Sequence, residues 1–201
     1  MTYDPMPIED AAVPIEESAR PAPFPAAPRG EKGYEKRAVE VFLARARAAF
    51  EAPVGEAEIT SATVRDASFP LVKNGYAVTA VDTALGRVED AFAAREREDG
   101  ITRQGLAGWV DSARHTAQEV LDRLARPDGR RFDRARGMHY GYRVDEVDLV
   151  SRKLIGFFER GDRVTVDQVR QAAFRMQRRG YREEQVDALL DAVVEVMLAV
   201  R

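Results

Sequence analysis

The chain has 201 residues, 45% of them hydrophobic and 32% charged, with a formal net charge of −3 at pH 7. This length suffices for one or two domains with a real core, and the charge gives no overall basis for binding nucleic acid or acidic lipid. The absence of cysteine excludes disulfides, thiolate metal sites and a cysteine nucleophile, and is typical of a cytosolic chain. No long apolar run or signal segment is present, so we expect a soluble, cytoplasmic protein.

Residues 1–28 contain seven of the ten prolines, and this composition predicts a disordered or extended tail. Beyond the tail, apolar residues recur at helical spacing in four segments, each of which is predicted to be a helix. The four stripes are Val39, Phe42, Leu43, Ala46 and Phe50; Val81, Leu85, Val88 and Phe92; Val147, Val150, Leu154 and Phe158; and Val186, Leu189, Leu190, Val193, Met197 and Val200. Nothing in the sequence predicts a strand with confidence, so the predicted fold class is all-α.

Local signals predict where shorter elements begin and end. Thr60 is expected to cap a short helix that carries Val64, and Thr165 with Gln168 three residues later matches a capping box. Gly100 is predicted to break the second long helix. The segment after it, 101–131, has its own apolar stripe and closes with a Pro-Asp-Gly turn, so it is predicted to be a helix that connects two halves.

One short pattern occurs four times: Gly-Tyr, four intervening residues, then Val and an acidic residue. The second and fourth copies share a long lead, with Ile/Val-Thr, Val and Phe at the same distances before the glycine, whereas the first and third have a lone Phe nine residues before it. This alternation indicates duplication of a two-repeat unit. The predicted organisation is a tail (1–28), repeat 1 (29–58), repeat 2 (59–100), a connecting helix (101–131), repeat 3 (132–163) and repeat 4 (164–201).

Each repeat is predicted to form a helical hairpin with Gly-Tyr as its turn. Glycine reaches positive φ without the clash of a Cβ atom, and the tyrosine ring can be buried with its hydroxyl at the rim. The predicted turn residues are Gly33, Tyr34, Gly75, Tyr76, Gly141, Tyr142, Gly180 and Tyr181. The predicted core of the repeats consists of Val39, Val64, Phe69, Val81, Val147, Val169, Phe174 and Val186. We expect like repeats to pair, the first with the third and the second with the fourth. The alternative to a structural role for Gly-Tyr is that one of the tyrosines contacts a ligand or a partner.

The order Ile/Val-Thr, Val, Phe, Gly-Tyr and Val-Asp resembles the DivIVA domain of bacterial cell-division and polar-growth proteins, and four copies resemble the DivIVA-repeat branch of actinobacteria. Segments 59–97 and 164–201 resemble the whole pattern, and segments 24–51 and 132–159 resemble it from Gly-Tyr onward. The resemblance implies a self-associating helical scaffold with coiled-coil character, acting at the septum or cell pole.

The same family binds membrane through a Phe two residues before the glycine and a basic residue just before it. The corresponding positions are Glu31-Lys32, Lys73-Asn74, His139-Tyr140 and Arg178-Arg179, none of which contains Phe. No heptads follow the last repeat either. We therefore do not expect direct membrane binding or filament formation, and the expected partner is another protein, such as a membrane-bound DivIVA-type scaffold. Self-association is left open.

No catalytic, metal-binding or cofactor-binding constellation is evident. The two histidines, His115 and His139, have no partner at a metal-binding spacing, and no nucleophile elbow or phosphate loop occurs; we expect no enzyme activity and no cofactor. The strongest charged feature is a candidate basic contact surface for nucleic acid or anionic lipid. It consists of Arg170, Arg175, Arg178, Arg179 and Arg182. The alternative, which we favour, is a solvated face paired with Glu183, Glu184 and neighbouring acids.

The leading functional hypothesis is a non-enzymatic interaction or adaptor protein of bacterial cell division or polar growth that acts through helical protein–protein contacts. The last helix would provide the partner surface if Val194, Val196 and Leu198 are exposed, because a large exposed apolar patch usually marks an interface. Two alternatives stay open. One is a helical nucleic-acid-associated regulator that uses the arginine-rich segment 170–182. We expect a protein partner over nucleic acid, so this is the alternative and not the leading hypothesis. The other is a cytosolic structural protein unrelated to division.

Overall fold

A computed structural model describes residues 22–52 and 59–200. The prediction of a mostly helical protein is confirmed, since the described residues form six helices and four three-residue strands. The bounds are β1 Lys32–Tyr34, α1 Lys36–Glu51, α2 Ser61–Arg65, β2 Leu71–Lys73, α3 Val78–Leu124, β3 Tyr140–Tyr142, α4 Val144–Arg160, α5 Val166–Arg170, β4 Met176–Arg178 and α6 Glu183–Ala199. The order β-α-α-β-α occurs twice, which divides the chain into a first half (22–104) and a second half (106–200).

The four strands correct the expectation of a purely helical fold. β1 pairs antiparallel with β2, with Gly33 opposite Val72, and β3 pairs in the same way with β4, with Gly141 opposite Gln177. Strands of three residues are too short to show a period of two, so hydrophobic patterning cannot detect them.

The predicted helix caps are present. The Thr60 hydroxyl accepts a hydrogen bond from the Thr63 N–H, and the Thr165 hydroxyl accepts one from the Gln168 N–H, each within a capping box. α4 ends at Gly161, whose φ of 71° lies in the left-handed region. The two capping boxes depend on neighbouring residues only, which is why the sequence predicts these helix starts.

The longest helix, α3, joins the two halves through a sharp bend. Gly100, which was predicted to break this helix, lies inside it, and the non-helical residue is Gly105, with φ 76° and ψ 162°. The chain folds back at Gly105 and brings Trp109 onto Gly100. A Cβ atom placed on Gly100 would lie only 2.4 Å from the Trp109 ring. In a continuous helix these two residues would be about 14 Å apart along the axis. Residues 78–104 and 106–124 are therefore two arms.

Each half has its own hydrophobic core. The first consists of Val39, Ala46, Ile59, Val64, Tyr76, Val81, Leu85 and Phe92. The second consists of Val120, Leu124, Phe132, Val147, Leu154, Val166, Val169, Tyr181, Val186, Leu189, Val193, Val194, Met197 and Leu198. Phe69 and Phe174 are partly buried against these cores. The second core is larger: the second arm of α3 contributes Val120 and Leu124, and α6 contributes six residues. The predicted connecting helix thus belongs to the second core.

Residues 22–28, predicted as part of the tail, pack on the first half. The Phe24 and Tyr76 ring centroids are 5.4 Å apart, the Ala27 N–H donates to the Gly75 carbonyl at 2.8 Å, and the Ala77 N–H donates to the Pro25 carbonyl at 2.9 Å. Proline keeps its carbonyl as an acceptor even though it lacks an N–H, so a proline-rich segment can still pair here. The predicted boundary at residue 28 is therefore too late, and residues 1–21 lie outside the described residues.

Candidate interaction surfaces

The Gly-Tyr pairs bring together the two repeats of each half. A Cβ atom on Gly33 would lie 2.2 Å from the Tyr76 carbonyl oxygen, and one on Gly75 would lie 2.4 Å from the Gly33 carbonyl oxygen. In the second half, a Cβ atom on Gly141 would lie 2.2 Å from the Tyr181 carbonyl oxygen, and one on Gly180 would lie 2.4 Å from the Gly141 carbonyl oxygen. Glycine is required at all four positions because two backbones approach each other where no side chain fits. We call each such contact a Gly-Tyr junction.

The prediction that these glycines form turns with positive φ is wrong. At the junctions the left-handed φ belongs instead to Asn74, at 58°, and Arg179, at 54°, each one position before the second Gly-Tyr pair of its half. Gly33 and Gly141 lie in β1 and β3. The junctions join the first repeat to the second and the third to the fourth, so they are not the predicted pairing of like repeats; the predicted contact of the second repeat with the fourth is made elsewhere, at a cleft between the halves.

The acidic residue of each repeat pairs with the tyrosine of the other repeat in the same half. The pairs are Tyr34–Asp82, Tyr76–Glu40 at 2.5 Å, Tyr142–Asp187 at 3.4 Å and Tyr181–Asp148 at 3.1 Å. The tyrosine hydroxyls were predicted to lie at the rim, and their acidic partners were not predicted. The reciprocal pairing explains the whole pattern: glycine permits the backbone contact, tyrosine crosses the junction, and the acidic residue accepts its hydroxyl.

Burial sets the ionisation of these groups. It raises the pKa of Tyr76 and of Tyr142 to about 12, and the partner carboxylates Glu40 and Asp187 add to the effect. Burial also raises the pKa of Asp187, against the hydrogen bond from Tyr142. The tyrosines are therefore neutral hydrogen-bond donors at physiological pH, which suits a structural role.

In the second half the junction continues into a buried ion pair. The Arg131 guanidinium lies 2.7 Å from Asp148, and both side chains are buried. Asp148 also accepts from the Gly129 N–H at 2.7 Å and from Tyr181. Arg131 contacts Asp128 as well, and this hydrogen bond lowers the Asp128 pKa. A buried charge is tolerated when it is paired and hydrogen-bonded, as Asp148 is here.

A cleft of about 290 Å³ lies between the halves, lined by seven residues from each. The two sets stand at equivalent distances from their Gly-Tyr pairs. The equivalent pairs are Val64/Val169, Arg65/Arg170, Ala67/Ala172, Asp82/Asp187, Leu85/Leu190, Gly86/Asp191 and Glu89/Val194. The second and fourth repeats therefore face each other with approximate twofold symmetry. Five pairs are identical, and the last two break the symmetry.

Glu89 joins the two equivalent arginines of the cleft. Its carboxylate lies 2.7 Å from Arg65 and 2.7 Å from Arg170, and the glutamate itself is buried. Arg170 also binds Asp90 at 2.8 Å. Burial raises the pKa of Asp191, and Arg65 opposes this shift. Because Glu89 binds an arginine from each half, we interpret the cleft as a structural connection between the halves.

The five arginines predicted as a basic contact surface have different surroundings in the structure. Arg170 lies in the cleft, Arg175 binds Glu146 at 2.5 Å, and Arg182 lies 3.5 Å from Glu184. Arg178 and Arg179 are exposed at the end of β4. The observed ion pairs favour the solvated, paired alternative and give no support to a nucleic-acid surface.

The predicted partner surface on α6 is wrong. Val194, Val196 and Leu198 are only 2%, 5% and 6% exposed. The fold-back at Gly105 brings the second arm of α3 against this helix, and the Trp109 indole N–H donates to the Ala199 carbonyl at 3.0 Å. Three glycines between residues 100 and 108 were the available signal for such a bend.

An open apolar groove of about 560 Å³ lies beside this bend, and we call it the bend groove. Its apolar lining is Leu106, Trp109, Val110, Ala113 and Ala117 from α3, Phe157 and Phe158 from α4, and Val196, Ala199 and Val200 at the end of α6. Leu106 and Val200 are 62% and 67% exposed. Arg97 and Arg114 complete the lining, which contains no carboxylate. A contiguous exposed apolar surface of this kind marks an interaction site.

Comparisons of the chain with known protein families, with curated proteins and with solved structures found no match. None of the described helices is long and apolar enough to cross a membrane. Within residues 22–52 and 59–200, no three acidic or histidine side chains are grouped so that they could hold a metal ion. Of the grooves in this part of the chain, the bend groove is the one with a mainly apolar lining that includes the well-exposed Leu106 and Val200.

Proposed function

We propose that this protein is a non-enzymatic adaptor that binds other proteins through helical surfaces during bacterial cell division or polar growth. The bend groove is the observation that carries the binding role. The four Gly-Tyr repeats, through their resemblance to the DivIVA domain, support the cellular setting. The proposed partner is a membrane-bound DivIVA-type scaffold or another division protein, met at the septum or the growing pole.

The bend groove has the properties of a preorganised docking surface. Trp109 stands in its wall, and the hydrogen bond to Ala199 holds the indole in one orientation before any partner arrives. A fixed aromatic anchor loses little conformational freedom on binding. Burying one exposed side chain such as Leu106 or Val200 would contribute roughly 1.5–3 kcal/mol. An amphipathic helix laid into such a groove is a common mode of recognition.

The departures from the family pattern support an adaptor over an anchor. The chain keeps the repeat that resembles the family's pairing element, and it lacks the family's membrane-inserting Phe at all four equivalent positions. A chain of this kind is suited to binding a relative that is itself anchored. This route to the septum or pole would then depend on protein contacts alone.

Localisation in living cells tests the proposal. A fluorescently tagged parent chain should concentrate at the septum or pole, and Leu106→Asp with Val200→Asp should leave it diffuse because charge in the groove opposes docking. Val41→Asp with Leu149→Asp is the matched control, since both residues are half-exposed on other helices. A parent chain that stays diffuse through the cell cycle, together with a deletion strain of normal shape and septum spacing, would refute the proposed function.

A further inference from the structure

The segment 1–21 contains one short phrase twice, formed by an apolar residue, Pro, Ile and two acidic residues. The copies are Met6-Pro7-Ile8-Glu9-Asp10 and Val13-Pro14-Ile15-Glu16-Glu17. Each copy combines adjacent apolar side chains with two negative charges. The segment lies outside the described residues, and its chemistry is known from the sequence alone.

The bend groove offers the complementary chemistry. Its wall is apolar, and the charged residues that line it are Arg97 and Arg114, both cationic. Arg114 lies 3.4 Å from Asp111, but both side chains are well exposed, so this pair contributes little. A ligand that brings apolar side chains and adjacent carboxylates would satisfy both parts of the lining. Proline in the phrase restricts φ, which reduces the conformational entropy lost on binding.

We propose that the first copy, residues 6–10, binds the bend groove of its own chain, with Ile8 against the Trp109 wall and the two acids beside Arg97 and Arg114. The inference rests on the proposed function in one respect, since both take the bend groove as a binding surface. Its consequence is regulatory. An external partner that binds the same groove therefore has to compete with the N-terminal segment.

Chain length decides between the two copies. The Pro25 carbonyl is bonded to Ala77, next to the start of α3. Gly100, which Trp109 covers, is 23 residues further along α3, a distance of about 35 Å at 1.5 Å per residue. From Pro25, a fully extended chain reaches about 60 Å to Ile8 and only about 35 Å to Ile15. The first copy therefore reaches the groove with slack, and the second reaches it only at full extension.

Fluorescence of Trp109 tests the proposal, because it is the only tryptophan in the chain. The full-length parent is compared with full-length Ile8→Ser by emission maximum and acrylamide quenching. We expect Ile8→Ser to shift the emission to the red and to remove protection from the quencher. Ile15→Ser is the matched control and should behave like the parent. Identical quenching of all three chains, or the same loss in Ile15→Ser, would overturn the assignment of the first copy.

A charge exchange separates binding from damage to the fold. Arg97→Glu with Arg114→Glu should expose Trp109, and adding Glu9→Lys with Asp10→Lys should restore its protection; failure of this rescue would count against the proposal. Protection should not depend on protein concentration. A concentration dependence would place the segment in the groove of a second copy and overturn binding within one chain. None of these readouts requires a division partner. The fluorescence experiment can therefore fail while the localisation experiment succeeds, and the localisation experiment can fail while the fluorescence experiment succeeds.

Discussion

The two halves carry the same Gly-Tyr junction in different electrostatic surroundings. In the first half, Tyr76 donates to Glu40, which is exposed to solvent. In the second half, Tyr181 donates to Asp148, which is buried with Arg131. The comparison shows that backbone contact is the common element of the junction, whereas the carboxylate that accepts the tyrosine hydroxyl can be either hydrated or fully enclosed.

The halves also differ where they meet. In the cleft the first half has Glu89 and the second half has Val194 at the equivalent position. A single carboxylate can serve both Arg65 and Arg170, so only one half needs it. The asymmetry makes the contact specific to two unlike halves of one chain.

Replacing Glu89 with Val would make this position symmetric and should destabilise the protein by about 3–5 kcal/mol. The reason is that two partly buried arginines would lose the carboxylate they share. The free energy of unfolding in urea measures the effect. Glu195→Gln, on the exposed face of α6, is the control and should change stability by less than about 0.5 kcal/mol. A Glu89→Val chain as stable as the parent would show that the asymmetry is dispensable.

Gly75→Val and Gly180→Val should each destabilise the chain by about 3 kcal/mol, the upper end of typical overpacking costs. A Cβ atom at either position would lie 2.4 Å from a carbonyl oxygen of the paired glycine. Thermal unfolding followed by circular dichroism checks both variants. Gly108→Ala, where the added atom meets only the Gln104 side chain at 3.4 Å, should retain or raise the melting temperature. An unchanged melting temperature for either valine variant would contradict the backbone-contact role.

Tyr181→Phe should cost more than Tyr76→Phe. The buried Asp148 loses a donor in the first case, and a hydrogen bond to a charged group contributes about 1.5–3 kcal/mol. Glu40 can turn to water in the second case, so a loss of about 0.5–1.5 kcal/mol is expected. Chemical denaturation of both variants measures the difference. Equal losses would mean that burial of the acceptor does not distinguish the halves.

Alkaline pH should destabilise both halves through one tyrosine each. The pKa of Tyr76 and of Tyr142 is raised to about 12 in the folded state, above the ordinary value of about 10. Their contribution to stability is complete below pH 10 and is lost as the pH rises through 12, because the unfolded phenols ionise first. Tyrosinate absorbance during a pH titration should show late-titrating groups that include these two, since burial also raises the pKa of Tyr34 and of Tyr181. Tyr76→Phe and Tyr142→Phe should each remove one of them, and a single step shared by all tyrosines would argue against the prediction.

The smallest expected effect is a gain. Arg179→Gly should stabilise the protein by up to about 1 kcal/mol, because a residue with a Cβ atom is strained at a left-handed φ. Asn74→Gly, at the equivalent position of the first half, should gain less, since asparagine tolerates this conformation better. Differential scanning calorimetry can rank the two. A larger gain for Asn74→Gly would reverse the expected order.

The sequence by itself determined most of the helices and their caps. Val39, Val81, Val147 and Val186 were placed on apolar stripes, and all four are buried. Thr60 and Thr165 were identified as caps from residues within one turn. Periodicity and capping act over a few neighbouring residues, so they can be identified without knowing the fold. The positions of the four glycines were also evident, although the physical reason for them was not.

Only the tertiary structure decided what those residues contact. The four glycines meet backbone from another repeat, each tyrosine pairs with an acid of that repeat, and Arg170 reaches Glu89, which is 81 positions away in the chain. Nothing in local spacing distinguishes Gly105, where α3 bends, from Gly100, which Trp109 covers. That bend buries the outer face of α6 and opens the groove beside it. Contacts between distant segments follow from the path of the whole chain, and hydrophobic patterning does not encode that path.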